Sequence, residues 1–448
     1  MCDNIVPYII FSDRSIETFK EIQPMLDIQR IRDNPDAIAT AVINKNAKAD
    51  IAGIVALDGK RRELIGLAEQ LKGKRNLASQ EIARLKKEKL DATPLMAEMK
   101  NVSDQIKDLD AELKAVEENL HNLMIWVPNP AHESVHHGKS ADDNKVIATW
   151  GAPRTFDFTP KDHLQLGTSL DILDFPRGAK ISGAGFPVYK GYGALLERAL
   201  INFMLDTHGK SGYTEIFPPM LVNRQSLFGT GQLPKSEEQM YYVGADDLFA
   251  IPTAEVPVTN LHRDEVLDGR QLPIKYCAFS SCFRREAGSY GKDTKGFIRV
   301  HEFHKVELVK FTTPETSYAE LESLRGDAES ILRALNLHYR VLALCDADIS
   351  FAAAKCYDLE AFAPVEGRFL EVSSCSNYED FQARRMNIRY KAQPDSKPAA
   401  LHTLNGSALA TARIMVAVLE NYQTAQGTVM VPEVLQSYMH GLKEITAR

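Results

Sequence analysis

An α+β fold in two parts is predicted for this chain of 448 residues by three features. A long run of helical heptads ends near residue 124, a segment rich in Pro, His, Asp and Gly follows, and short strands and helices joined by tight turns fill the rest. Few of those strands alternate with helices as βαβ units do, so an antiparallel sheet flanked by helices is expected. Two domains suit a chain of this length.

The heptads come first. Ile54, Leu57, Arg61, Leu64, Ala68, Leu71, Arg75, Ala78, Ile82 and Leu85 recur every third or fourth residue, which places them on one helical face. Asp91 to Pro94 interrupts the pattern, with Thr93 as N-cap and Pro94 at the first helical position. Leu95, Met99, Val102, Ile106, Leu109, Leu113, Val116 and Leu120 then resume it. The expectation is an antiparallel two-helix coiled-coil arm over about 51–123, roughly 50 Å long at 1.5 Å per residue. Residues 54–90 hold ten Lys/Arg against five Asp/Glu, and residues 91–124 three against eight. Two readings stand open: the helices attract one another, or the basic helix lies along a phosphate backbone. Beyond Trp126-Val127-Pro128-Asn129-Pro130, residues 128–160 read as a linker.

Composition excludes several classes. A formal charge of −7 argues against a generally basic nucleic-acid binder. The six cysteines form no CxxC and no disulfide framework, which suits a reducing cytoplasm. Cys277 and Cys282 are five apart and fall on opposite strand faces. His301 and His304 diverge for the same reason, and His132, His136 and His137 read as solvated linker, so no zinc is expected. No apolar run approaches the roughly 20 residues needed to cross a bilayer. The first 24 residues carry acidic groups and no basic n-region, unlike a secretory signal. Neither a P-loop nor a Rossmann glycine pattern is present.

Chemistry concentrates between Phe283 and Glu307, FRREAGSYGKDTKGFIRVHEFHKVE. With period 2, Arg284 and Glu286 share one face of a strand ending near Ala287, and Phe303 and Glu307 one face of a strand from Arg299 to Lys310. A hairpin joining them would gather a cation, an aromatic plane and two carboxylates: a nucleotide site beside a polar pocket. Ile251 to Val256 adds Thr253 and Glu255. Phe369 to Asn377 alternates Glu371 and Ser373 onto one face, with Ser374 beside them. Leu404-Asn405-Gly406-Ser407 leads into a helix carrying Arg413. Each segment alone has an ordinary structural explanation.

Together they resemble seryl-tRNA synthetase, of the class II aminoacyl-tRNA synthetases, from Met25 to about Tyr438. The resemblance is carried by MLDIQRIRDNPD, by GYGALLERALINFML and FPPMLVN as motif 1, by the Phe283 segment as motif 2 and by NGSALATARIMVAVLENYQ as motif 3. PTAEVP and SSCSNYEDFQARRMNIRY are particular to the seryl branch. The resemblance implies a class II antiparallel sheet and a ligase that joins L-serine to ATP as seryl-adenylate, then charges tRNA(Ser), and tRNA(Sec) where present. Arg284 would hold the α-phosphate and Arg413 the outer phosphates, while Glu371 and Ser374 bring Mg²⁺ to the polyphosphate. Phe303 would stack on adenine with Glu286 on its amino group, and Arg285, Val300, Val372 and Ser373 lining the site. Thr253, Ala254, Glu255, Arg284, Glu307 and Ser407 would take serine. The division of ammonium and hydroxyl between Glu255 and Glu307 stays open.

The resemblance also implies a homodimer through motif 1, around Leu195 to Leu205 and Pro219, and an arm that reaches the long variable arm of the tRNA. The implied domains are an N-terminal extension at 1–24, a tRNA-binding domain at 25–127, the linker and a catalytic domain at 161–448. The chain departs from the family at Ala408 and Ala412, where glycine is common, and at Glu360 to Pro364, which lacks a usual tryptophan. The competing readings are a non-catalytic synthetase-like RNA-binding or interaction protein and an amino-acid ligase acting on a carrier protein. The first should have lost Arg284, Glu286, Glu371 or Arg413, and the second the arm; all are present.

Overall fold

The computed structural model describes residues 26–287 and 296–447. The expected extension at 1–24, and the central residues of the Phe283 segment at 288–295, lie outside the described residues.

Four helices open the described residues: α1 (Ile28–Asp33), α2 (Pro35–Asn44), α3 (Ile51–Lys87) and α4 (Thr93–Met124). Local signals set their starts. The Asn34 side chain accepts from Ala37 N–H ahead of Pro35, and the Asp50 side chain accepts from Gly53 N–H. Ile31, Ile38, Val42, Ile54, Met124 and Val127 close a small core at the base of the hairpin. Leu64, Ala68, Met99, Val102, Ile106 and Val116 are buried along the seam, as the heptads require. One start differs from expectation. Ala92 is the N-cap of α4 and Thr93 its first residue, because the Asp91 carboxylate takes the Thr93 N–H at 2.9 Å in place of a threonine cap. Lys60–Glu112, Arg61–Glu117, Lys72–Asp110 and Lys74–Glu98 pair α3 with α4 at 2.6–2.9 Å. Arg75, Lys86, Lys87 and Lys89 make no ion pair among the described residues.

An eight-stranded sheet organises the remainder. Its strands are β1 (Lys145–Trp150), β2 (Thr214–Glu215), β3 (Ile274–Phe283), β4 (Glu302–Thr312), β5 (Tyr339–Ala343), β6 (Lys355–Ala363), β7 (Arg368–Asn377) and β8 (His402–Ala410). Their spatial order is β1-β5-β6-β7-β8-β4-β3-β2, antiparallel except for the β2–β3 edge. The stretch expected as linker is therefore more than that. Its residues 145–150 pair with β5 as an edge strand, so that Trp150 stacks on the buried Tyr339 with centroids 5.8 Å apart. Helices α5 (Tyr192–Lys210), α7 (Ser317–Ala334) and α8 (Thr411–Asn421) pack on the sheet. Leu196, Leu200, Leu324, Ile331, Ile414 and Val418 share one core with Val306 and Leu308 of β4. A short helix, α6 (Glu255–Thr259), lies nearer the other end of β4.

Candidate active site

Strands β4, β6, β7 and β8 present side chains to one open cleft of about 420 Å³. Its walls include Thr253, Glu255, Arg284, Glu286, Val300, Phe303, Glu307, Glu371, Val372, Ser373, Ser374, Ser407 and Arg413. Two of the residues expected there are placed elsewhere. Arg285 turns away, its guanidinium toward the Glu238 carbonyl at 3.4 Å, because its N–H is engaged by the Gln239 carbonyl on that side. Ala254 is fully buried as the N-cap of α6, where it supports Thr253 and Glu255 without reaching the cleft wall.

The hairpin differs in detail from strict alternation. β3 ends at Phe283 and β4 starts at Glu302, so Arg284 and Glu286 stand just past the ladder, at its mouth. Glu286 takes a left-handed φ of 49°, and its carboxylate accepts from Arg299 at 2.5 Å. The Arg284 guanidinium lies over the Phe303 ring, 5.1 Å from its centroid, which brings the expected cation and aromatic plane together.

A bulge rearranges β7. Ser373 pairs with Leu359 but Glu371 with Glu360, so Val372 is an extra residue and alternation is interrupted there. Glu371 and Ser373 consequently differ in environment: Ser373 is buried and donates to the Ser407 carbonyl at 2.6 Å, whereas Glu371 is exposed to the cleft. Arg413 on α8 reaches across to it. Its Nη1 donates to the Glu371 carbonyl at 2.8 Å and stands 3.5 Å from the carboxylate, while its Nε donates to the Ile298 carbonyl at 3.2 Å.

At the other end of the cleft the groups are buried. Thr253 accepts from Glu255 N–H at 3.1 Å, and the Glu255 carboxylate accepts from Gln382 at 2.7 Å. Burial first, and the Glu307 charge second, push the Glu255 carboxyl up to about 7. Glu307 lies opposite Ser407 in the β4–β8 register, and the Ser407 hydroxyl donates toward it at 3.5 Å.

Among the residues of this site that escaped the sequence reading are Lys305, Gln382 and Asp358. Lys305 pairs with Glu307 at 2.5 Å and was legible from the period of β4, two residues back. Gln382 carried no local signal, since folding brings it to Glu255 from 127 residues away, and Asp358 enters only through the pairing of β6 with β7. Asp358 faces Ser374 across the β6–β7 ladder, and burial followed by the Glu371 charge holds its carboxyl well above the usual range.

Asp358, Glu371 and Ser374 offer only oxygen donors, which suits a hard cation such as Mg²⁺ and not zinc. His301 and His304 diverge, one toward the Arg284 carbonyl and the other toward Glu197. A second group, His163, Glu366 and Glu420, gathers behind Phe297. There Phe297 N–H points at His163 Nε2, which assigns the ring proton to Nδ1 facing Glu420 at 3.4 Å and makes the group a hydrogen-bonded brace.

An antiparallel sheet with one cleft-facing arginine just past its hairpin strand and another on a following helix defines a class II aminoacyl-tRNA synthetase. Residues 241–422 match the tRNA synthetase class II core domain that serves G, H, P, S and T, and residues 25–131 match the seryl-tRNA synthetase N-terminal domain. The chain is 58% identical over 421 residues to a serine–tRNA ligase of Chloroherpeton thalassium, covering 93% of this chain and 99% of that one. It is 54% identical to the serine–tRNA ligase of Carboxydothermus hydrogenoformans, over 93% of this chain and 98% of the relative. Among solved structures it superposes on seryl-tRNA synthetase from Pyrococcus horikoshii complexed with ATP. The TM-score is 0.88 at 37% identity, over 94% of this chain and 100% of that one. The cytoplasmic serine–tRNA ligase of Naegleria fowleri in complex with AMP gives 0.84 at 28% identity, over 96% and 99%. The chain belongs to the seryl-tRNA synthetase family.

Proposed function

We propose that the chain is a serine–tRNA ligase that activates L-serine with ATP and transfers it to tRNA(Ser), and to tRNA(Sec) where that tRNA occurs. The observation that carries this reading is the convergence of Arg284, Phe303, Glu371 and Arg413 at one end of a cleft whose other end holds Thr253, Glu255 and Glu307. Adenine stacks on Phe303, with Glu286 accepting from its amino group and Val300 and Val372 beside it. Arg284 takes the α-phosphate and Arg413 the outer phosphates, since a guanidinium fork suits phosphate oxygens. Glu371 and Ser374 would hold Mg²⁺, which would supply charge neutralisation at the polyphosphate.

Alignment and positive charge are what the first step needs. The serine carboxylate oxygen bonds to the α-phosphorus as the bond to pyrophosphate breaks. In the second step a ribose hydroxyl of the terminal adenosine attacks the seryl carbonyl, and AMP leaves. Glu255, Glu307, Thr253 and Ser407 receive the serine ammonium and hydroxyl. A site that hydrogen-bonds the hydroxyl rejects alanine, because its own buried groups would be left unpaired.

The domain division follows from the same reading: a tRNA-binding unit at 25–127, in which α3 and α4 form a coiled-coil arm, and a catalytic unit from about 161. Within 54–90, Arg75, Lys86, Lys87 and Lys89 toward the distal part of the arm are the basic residues without an ion pair among the described residues, and they are offered to tRNA phosphates. A hollow of about 530 Å³ lined by Tyr189, Ile201, Leu205, Phe217 and Phe279, with Phe217 73% exposed, supports a homodimer through motif 1. Among the described residues no helix is long and apolar enough to cross a membrane. The five described cysteines are free thiols, which supports a cytoplasmic setting.

Serine-dependent ATP–pyrophosphate exchange, followed by charging of a tRNA with and without its long variable arm, tests the proposal. Exchange without charging would remove the tRNA-ligase assignment, and no exchange would favour a silent relative.

A further inference from the structure

Five consecutive carbonyls, those of residues 350–354, are each capped by a donor from the N-terminal third of the chain. Lys45 Nζ donates to Ser350 at 2.9 Å and to Ala353 at 2.5 Å. The Asn129 N–H takes Phe351 at 3.0 Å and its Nδ2 takes Ala352 at 3.0 Å, while the His132 N–H takes Ala354 at 2.9 Å. Asn44 secures the start of the same segment through Asp346, at 2.8 Å. This strap joins β5 to β6, and its Leu344, Asp348 and Ser350 form part of the cleft wall, just ahead of Asp358. Its backbone bonds outward run to Asn129, His132 and His136 in the segment after α4, and it returns to the sheet through Leu344 N–H to the Cys356 carbonyl at 3.2 Å and Ala354 N–H to the Asn377 carbonyl at 2.8 Å.

Lys45 is an unusual clamp. It ends α2, is 5% exposed, and its ammonium rests on carbonyls with no carboxylate in ion-pair contact among the described residues. An apolar side chain would glue the two regions together at lower desolvation cost. What a lysine adds is a directional grip, with N–H donors on two particular carbonyls. Burial first, and the facing Lys235 second, lower its pKa to about 7, against opposing contributions from Cys356, Asp346 and Glu379.

We propose that Lys45 is a positioning residue: by holding the carbonyls of Ser350 and Ala353 it sets the strap that walls the cleft, so the base of the helical region, outside the arm, governs ATP and serine binding. The inference rests on the reading of the cleft as an ATP and serine site. It assigns Lys45 no contact with substrate.

The test is serine-dependent ATP–pyrophosphate exchange by the full chain and by Lys45→Met and Lys45→Gln, with deuterium uptake of the peptide covering 346–356. Lys45→Met should raise KM for ATP or serine about ten-fold with kcat within about two-fold, the size of one lost anchor. Uptake across the strap should quicken, and Lys45→Gln, which keeps an N–H donor, should recover part of both. Wild-type KM and wild-type uptake in Lys45→Met would overturn the proposal. Should Lys45→Met fail to fold, Lys45→Gln carries the same two readouts and the same overturning result. An absence of exchange in the wild type would instead remove the functional reading, while quicker strap uptake in the variants would leave the Lys45 clamp standing.

Discussion

Lys305 and Glu307, two residues apart on β4, form an ion pair of 2.5 Å in which the side chains are 8% and 2% exposed. The carboxylate proposed to recognise serine thus has a counter-charge before any substrate enters. Removing one partner strands a buried charge, so Lys305→Met should destabilise the protein by about 3 kcal/mol. Lys305→Met/Glu307→Gln should regain much of that stability while keeping a serine KM raised more than about ten-fold, as loss of a charged hydrogen bond implies. Chemical denaturation and exchange kinetics measure the two halves separately. A double variant with wild-type serine KM would remove Glu307 from recognition.

The two adjacent arginines, Arg284 and Arg285, should behave differently. Arg284→Ala is expected to lower exchange by at least about 100-fold, the scale of losing a charge that stabilises the transition state. Arg285→Ala, whose side chain leaves the cleft, should stay within about three-fold, as substitutions away from the reacting groups do. Comparable losses in both would contradict the placement of Arg285.

Serine binding should depend on pH through Glu255. Its carboxyl, pushed up to about 7 by burial and by Glu307, is increasingly neutral below that pH, and an arriving ammonium favours the ionised form. KM for serine should therefore rise as pH falls from 8 to 6, and Glu255→Gln should flatten that rise. An unchanged slope in Glu255→Gln would assign the dependence to another group.

Deleting residues 54–120 should spare ATP–pyrophosphate exchange and impair charging, because the seam of the hairpin is separate from the catalytic core. A finer version replaces Lys86, Lys87 and Lys89 by Gln together: charging should weaken and its salt dependence flatten, since fewer counterions are released. Equal loss of exchange and charging in the deletion, with the core still folded, would refute this division of labour.

Lys45 makes a prediction about stability alone. Its folded pKa of about 7 lies below its ordinary value of 10.5, so between those pH values the unfolded chain binds more protons. Stability should then rise with pH across that window, by up to about 1.4 kcal/mol per unit from this group. Lys45→Met should lack that component, so denaturation curves of the two proteins at pH 6.5 and 9 should differ in slope. Parallel pH dependence would show that the ammonium is not the source.

Much was legible in the residues themselves. Periodicity places the heptad positions of α3 and α4, caps and prolines set the helix starts to within a residue, and the motif residues Arg284, Phe303, Glu307, Glu371 and Arg413 all reach one cleft. These are local properties, since spacing along one strand or helix decides which face a side chain takes. Tertiary structure alone decided the rest. The bulge at Val372 separates Glu371 from Ser373, pairing with β5 turns part of a linker into a sheet edge, and backbone contacts with Glu238 and Gln239 draw Arg285 out. Gln382 and the Lys45 clamp join groups more than a hundred residues apart in the chain, and such pairings arise only when cores pack and buried polar groups must find partners.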